Sequence, residues 1–351
     1  MRKLFILIVL LASLYPKAFG QIGGEYTYQF LNLTNSARMA ALGGNQIALN
    51  DSTDLNVSYN NPSLLRPDMK NMLAMNYVDY FVGVNYGYAA YSFGTPLPGN
   101  FAVGMHYINY GNFIAANEYG EKTGTFTAAE YALNLIWSNQ YKRLAYGINL
   151  KPILSSLETY QAFGFAADLG ISLFSKNKLT VTSLVARNIG SQISTYYDGA
   201  ERESIPFDLQ FGISQKLQHA PIRFAATMQH LQKWDLAKPE EDKTGSTVVY
   251  VEDKFTKKFM RHLVLGVELL PSPNFTLRAG YNYQIRQELG LEERMSTVGF
   301  TWGFGFRISR FHINYGSTRF HLTGSSNIIS IALNLGNDFK RNDIPAEETV
   351  E

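Results

Sequence analysis

The stretch VGFTWGFGFRI, Val298 to Ile308, decides the fold class. Val298, Phe300, Trp302, Phe304, Phe306 and Ile308 share one side of an alternating chain, and Gly299, Thr301, Gly303, Gly305 and Arg307 share the other. A period of two is that of a β-strand, whose successive side chains point to opposite faces. One face is wholly apolar and aromatic, while the other is small, polar and in one place charged. FTLRAGYNYQI, Phe275 to Ile285, repeats the pattern, and so does Phe163 to Leu173, where Phe165, Leu169 and Ile171 oppose Gly164, Asp168, Gly170 and Ser172. A soluble sandwich strand also alternates, but it must hide its aromatic face against a second sheet. A strand crossing a bilayer turns that face to lipid and its small, polar face to an interior.

Strand length and the order of connections separate the two readings. Outward from this stretch the sequence divides into about fourteen strands of roughly 9 to 13 residues, against about 5 to 6 for ordinary soluble strands. They include 100–110, 129–139, 274–286 and 295–308. From the second strand onward, short turns such as SKN, QHA and PSP alternate with longer loops at 111–128, 155–161, 190–205, 233–259 and 287–294. Short turns on one side and long loops on the other are the layout of a bacterial outer-membrane barrel, with the short turns periplasmic and the long loops extracellular. An even strand count places both termini in the periplasm. Aromatic residues such as Tyr131 and Trp137 fit interfacial girdles at strand ends. The expectation is an all-β chain: a transmembrane outer-membrane β-barrel of about 14 antiparallel strands over 71–336.

Composition agrees. The chain of 351 residues has no Cys, a formal net charge of +2 and 14% aromatic residues. An exported chain without Cys draws its stability from a large core or a closed hydrogen-bonded sheet. Near-neutral charge argues against nucleic acid, whose phosphates call for a basic face. Residues 1–20 carry a basic start at Arg2 and Lys3, a short apolar run and the small-x-small site Ala18-Phe19-Gly20, the layout of a secretory signal peptide. That run is too short for a membrane anchor, so outer-membrane lipid meets the barrel alone.

Between the leader and the first strand lies SARMAALGGNQIALNDSTDLNVSYNNPSLL, Ser36 to Leu65, which never alternates long enough to cross a membrane. Ser36 to Leu42 can form a helical turn ended by Gly43-Gly44, and Asn60-Asn61-Pro62 is a turn signal. A lumen of about fourteen strands is too wide for side chains alone to fill, so residues 21–70 read as an N-terminal plug or hatch-like segment. The polar tail 337–351 reads as periplasmic.

The runs ARMAALGG, IALNDSTDL and YNNPSLL resemble the N-terminal signature of FadL-like barrels, carried here by Arg38, Gly43, Gly44, Asp51, Asn61 and Pro62. Together with GGEYTYQFLNLTNS, they resemble more narrowly the PorQ family of type IX secretion outer-membrane proteins of Bacteroidota. That resemblance implies a non-enzymatic role in an attachment complex, holding a PorZ-like surface protein near a PorU-like sortase and a PorV-like barrel. The chain departs from many such barrels where its last strand is followed by a polar tail containing Phe339 instead of ending on an aromatic residue.

On this reading the working surface is the long loops. The 233–259 loop offers Trp234, Asp235, Glu240, Glu241 and Tyr250, aromatic anchors among charges, and the 190–205 loop offers Tyr196 and Tyr197. The six His residues have no metal-ligand spacing, and no nucleophile or phosphate motif stands out, so no catalytic residue, metal or cofactor is expected. Asp168, Lys151, Asp208, Arg278, Arg307 and Glu268 fall on the inward face and are expected to pair with one another or with the plug. Two other roles on the same fold remain open, a FadL-like channel for small hydrophobic molecules and a PorV-like cargo shuttle. A lone surface hydrolase on the rim lacks a supporting motif.

Overall fold

The computed structural model describes residues 26–80, 83–236, 240–241, 248–249, 254–289, 297–321 and 324–336. The leader, Tyr250 and the tail 337–351 lie outside the described residues.

Fourteen strands pair antiparallel, each with its neighbours in chain order, and the last closes on the first. They are β1 (Met72–Asp79), β2 (Asn85–Phe93), β3 (Asn100–Ala116), β4 (Lys122–Tyr141), β5 (Leu144–Leu157), β6 (Tyr160–Phe174), β7 (Thr180–Ser194), β8 (Asp208–Lys216), β9 (Ile222–Met228), β10 (Leu263–Ser272), β11 (Phe275–Asn282), β12 (Phe300–Ile308), β13 (Phe311–His321) and β14 (Gly324–Asn334). Closure runs from Met72 opposite Asn334 to Asp79 opposite Asn327, which leaves the sheet no free edge. The alternation resolves as expected for a barrel in lipid: on β6, Asp168 and Ser172 are fully buried while Leu169 and Ile171 are about half exposed.

Three expectations need correction. The strand expected over 274–286 ends at Asn282, and Tyr283–Leu289 is a helix. The ladder ends there because Asn282 already pairs with Val264 at the start of β10, and the Asn282 side chain accepts the Ile285 amide at 3.1 Å. Val298 does not share the lipid face: it precedes the left-handed turn at Gly299 (φ 85°) and is fully buried, whereas Phe300 and Trp302 are 55% exposed. The expected loops 111–128 and 155–161 are mostly strand, since β3 and β4 run 17 and 20 residues and only 158–159 separates β5 from β6. Beyond a bulge at Asn109–Asn112 the β3–β4 ladder continues, with Phe113 stacked on Phe126 at 5.1 Å. Tyr131 consequently sits well inside β4, not near its end.

The longest connections, 195–207, 229–262 and 283–299, lie on one rim, and both barrel ends meet at the other with the short turns. Residues 26–69 hydrogen-bond to inward positions around the ring. The Ala37 amide donates to Ser330 Oγ on β14 (2.8 Å), the Gly43 amide to Thr301 Oγ1 on β12 (2.9 Å) and Asn61 Nδ2 to Ser172 Oγ on β6 (3.0 Å). Ser138 Oγ on β4 donates to the Leu65 carbonyl (2.6 Å), and Asn76 on β1 to Asn56 Oδ1 (2.7 Å). This segment is thus bonded to strands on several sides of the closed sheet, with Leu31, Met39, Leu49 and Tyr59 at 0% exposure.

Candidate functional site: the filled lumen and the long-loop rim

The first α-helix of the inner segment is α1 (Ala37–Ala41), capped by Ser36 Oγ on the Met39 amide. Gly43 and Gly44, at φ 94° and 99°, end it, and the Gly44 amide returns to the Met39 carbonyl at 2.8 Å. Strand glycines admit this helix: a Cβ on Gly280 would lie 2.2 Å from the Gly43 nitrogen, and one on Gly316 would lie 2.2 Å from the Ala37 carbonyl. The small residues opposite the aromatic face therefore mark where another backbone approaches the sheet.

Arg38 enters a balanced ionic cluster. Its Nε and Nη2 grip both oxygens of Glu268 at 2.8 Å, and Nη1 reaches Asp51 at 2.8 Å and Asp54 at 3.3 Å. Arg223 Nη1 also donates to Glu268 (2.6 Å), as does Arg278 Nε (2.9 Å). Three guanidinium groups thus face three carboxylates, which is what makes burial of so much charge tolerable. Glu268 stands directly opposite Arg278 on one side and Arg223 on the other, so the barrel supplies one anion and two cations by register alone. Asp51 Oδ1 closes a local turn on the Thr53 amide at 2.9 Å. Burial opposes its charge, but Arg38 and Arg223 outweigh that and hold its carboxyl well below the usual range.

A second cluster meets α2 (Val57–Asn60). Lys151 Nζ lies 2.6 Å from Asp168 Oδ2, both fully buried, and also donates to Asn188 Oδ1 at 2.9 Å. Tyr59 hydroxyl lies 2.8 Å from His106 Nδ1, with Lys151 and Arg187 over its ring at 5.4 and 5.5 Å. Asn61 accepts the Ser63 amide at 3.0 Å, and Pro62 opens a short 3-10 turn leading toward β1. Arg38, Gly43, Gly44, Asp51, Asn61 and Pro62 are therefore packing and ion-pair residues of the inner segment. Sequence reasoning missed Arg223, Tyr59 and His230. Arg223 was open to detection through the same alternation that turns Glu268 inward.

The loop residues fall into two groups on separate connections. Trp234 stacks on His262 (centroids 4.9 Å) near Phe255, and Asp235 pairs with Lys258 at 2.8 Å on α3 (Phe255–Arg261). Glu240 and Glu241 pair by backbone with Val249 and Val248. Tyr196 donates to Ser155 Oγ at 2.8 Å, while Tyr197 is exposed, and both line a cavity of about 310 Å³ with Gln192 and Glu203. Nearby, burial opposes protonation of His230, but its hydrogen bond and charge contact with Asp208 (3.3 Å) raise its pKa. Among the described residues, no group of three or more His, Cys, Asp or Glu side chains could hold a metal ion.

No family model and no curated protein matches the sequence. Among solved structures, the fold is similar to the TodX monoaromatic hydrocarbon channel, deltaS2 mutant, at 15% identity and a TM-score of 0.53, covering 87% of this chain and 100% of that one. The P. putida toluene transporter TodX (13% identity, 87% and 100% coverage, TM-score 0.48) is also similar, as is a Pseudomonas aeruginosa FadL homologue (10%, 86% and 99%, 0.49). At such identities the likeness is one of fold alone, and the closed antiparallel barrel with its apolar outer face fits an outer-membrane location.

Proposed function

We propose that this chain is a non-catalytic outer-membrane barrel whose lumen is kept closed by its N-terminal segment and whose work is done at the long-loop rim. The observation that carries this reading is the packing of the lumen. Two ion-pair clusters and a continuous set of fully buried side chains occupy the space that a solute would have to cross. A conducting barrel needs a passage, and a ligand channel an apolar pocket. Two cavities, of about 310 and 150 Å³, sit at the two rims. In the specific form drawn from the PorQ resemblance, the long loops face the exterior and both barrel ends the periplasm. The rim then holds a PorZ-like protein in a type IX attachment complex, beside a PorU-like sortase and a PorV-like barrel.

A second reading, a channel for small hydrophobic molecules, has the solved structures on its side, since the barrel with a TM-score of 0.53 is named as a monoaromatic hydrocarbon channel. The type IX role rests instead on the resemblance of residues 23–65 and on the packing. Affinity isolation of the full chain from native outer membranes separates the two. The anchor reading expects a surface protein recovered in near-equal amount; a barrel recovered alone, carrying a bound hydrophobic compound, overturns it in favour of the channel.

A further inference from the structure

On the rim that carries the short turns, the strand connections bear charge of one sign, while the inner segment adds Asp68 between Arg66 and Lys70. The six connections between strands on this rim, 94–99, 142–143, 175–179, 217–221, 273–274 and 309–310, contain Lys142, Arg143, Lys176, Lys178 and Arg310 and no Asp or Glu. All five side chains are exposed, and among the described residues none forms a salt bridge. Four of them stand on the neighbouring β4–β5 and β6–β7 hairpins.

The apolar band reaches this arc from the lipid side. Tyr141, Leu144, Leu173 and Leu217 are all exposed beside it, with Tyr141 at 67%. Lys142 Nζ lies 5.3 Å from the centre of the Tyr141 ring, so an ammonium group stands where apolar surface ends. Apolar surface below and unpaired cations above are the arrangement of a headgroup-level contact. A surface made for water alone would mix its signs, and pairing within the barrel consumes the inward charges but none of these.

We propose that the arc formed by Lys142, Arg143, Lys176 and Lys178 binds the phosphates of anionic phospholipids in the leaflet it meets. This rests on the barrel spanning a bilayer. Phosphodiester headgroups bring the complementary charge, and their acyl chains lie against the exposed Leu144 and Leu173. Each cation near the surface contributes a roughly fivefold preference, weakened by salt.

The test reconstitutes the full chain in vesicles of about four parts phosphatidylethanolamine to one part phosphatidylglycerol, extracts it gently, and weighs the retained lipids by native mass spectrometry. Phosphatidylglycerol is expected to be enriched roughly tenfold or more over its share, and raising salt to about 0.5 M during extraction should abolish the enrichment. A variant with Lys142, Arg143, Lys176 and Lys178 changed to Gln should insert and shift on heating like the parent, yet lose the enrichment. Equal retention of both lipids, or enrichment unchanged in that variant, overturns the proposal. Binding of an acidic polypeptide to the arc with no lipid preference overturns it too. Failure of the parent chain to insert would instead strike at the membrane reading itself.

Discussion

Glu268 accepts four N–H groups from three arginines, one on the inner segment and two on adjacent strands. With the carboxylate gone, Arg38 keeps Asp51 and Asp54, while Arg223 and Arg278 lose their closest anion in a dry interior. Breaking a buried pair from one side costs about 3–5 kcal/mol. Glu268→Gln should therefore lower the temperature at which the barrel loses its compact mobility on gels, and Asp51→Asn should lower it less, because the Asp51 side chain is 24% exposed and Arg38 retains Glu268. Equal midpoints for Glu268→Gln and the parent would mean that the cluster does not hold the lumen together. At this scale the sequence was partly readable. Alternation turned Glu268, Arg278, Asp168 and Lys151 inward, but their partners depend on register, which no local pattern states.

The segment from Tyr28 to Met69 is neither strand nor long helix. Its local structure comes from caps and turns: Ser36 on α1, Asp51 on Thr53, Asn61 on Ser63. None of these would hold alone in water, and burial against small inward residues fixes them. Helix, turn and N-P signals were visible in sequence, whereas the strand glycines that receive the segment looked only like gaps in a pattern. Elements at the rim read less well. Tyr283–Leu289 kept a strand-like alternation but had no partner strand, and β3 and β4 outran their expected ends because aromatic pairs carry the ladder past the bulge. Because the chain has no Cys, the packing can be trapped chemically. The Ala37 amide lies 2.8 Å from Ser330 Oγ, within the reach of a disulfide between the two backbones. Ala37→Cys with Ser330→Cys should cross-link in intact membranes under mild oxidation and shift in mobility on reduction. A pair that stays reduced would place the segment elsewhere.

For the whole molecule, strand number, the two faces and the uneven rims followed from period, length and loop order, because a bilayer imposes those on any spanning sheet. What fills the lumen, and which loop residues gather at the rim, followed only from long-range pairing. Trp234 finds His262 and Asp235 finds Lys258 across a connection whose course no periodicity describes. A closed lumen is tested most directly by planar-bilayer recording of the purified full chain, beside a form lacking residues 26–60 and cross-checked for barrel mobility. The parent should give no steady conductance steps and the shortened form should give them. Stable steps from the parent at rest would contradict the closed barrel and favour the channel.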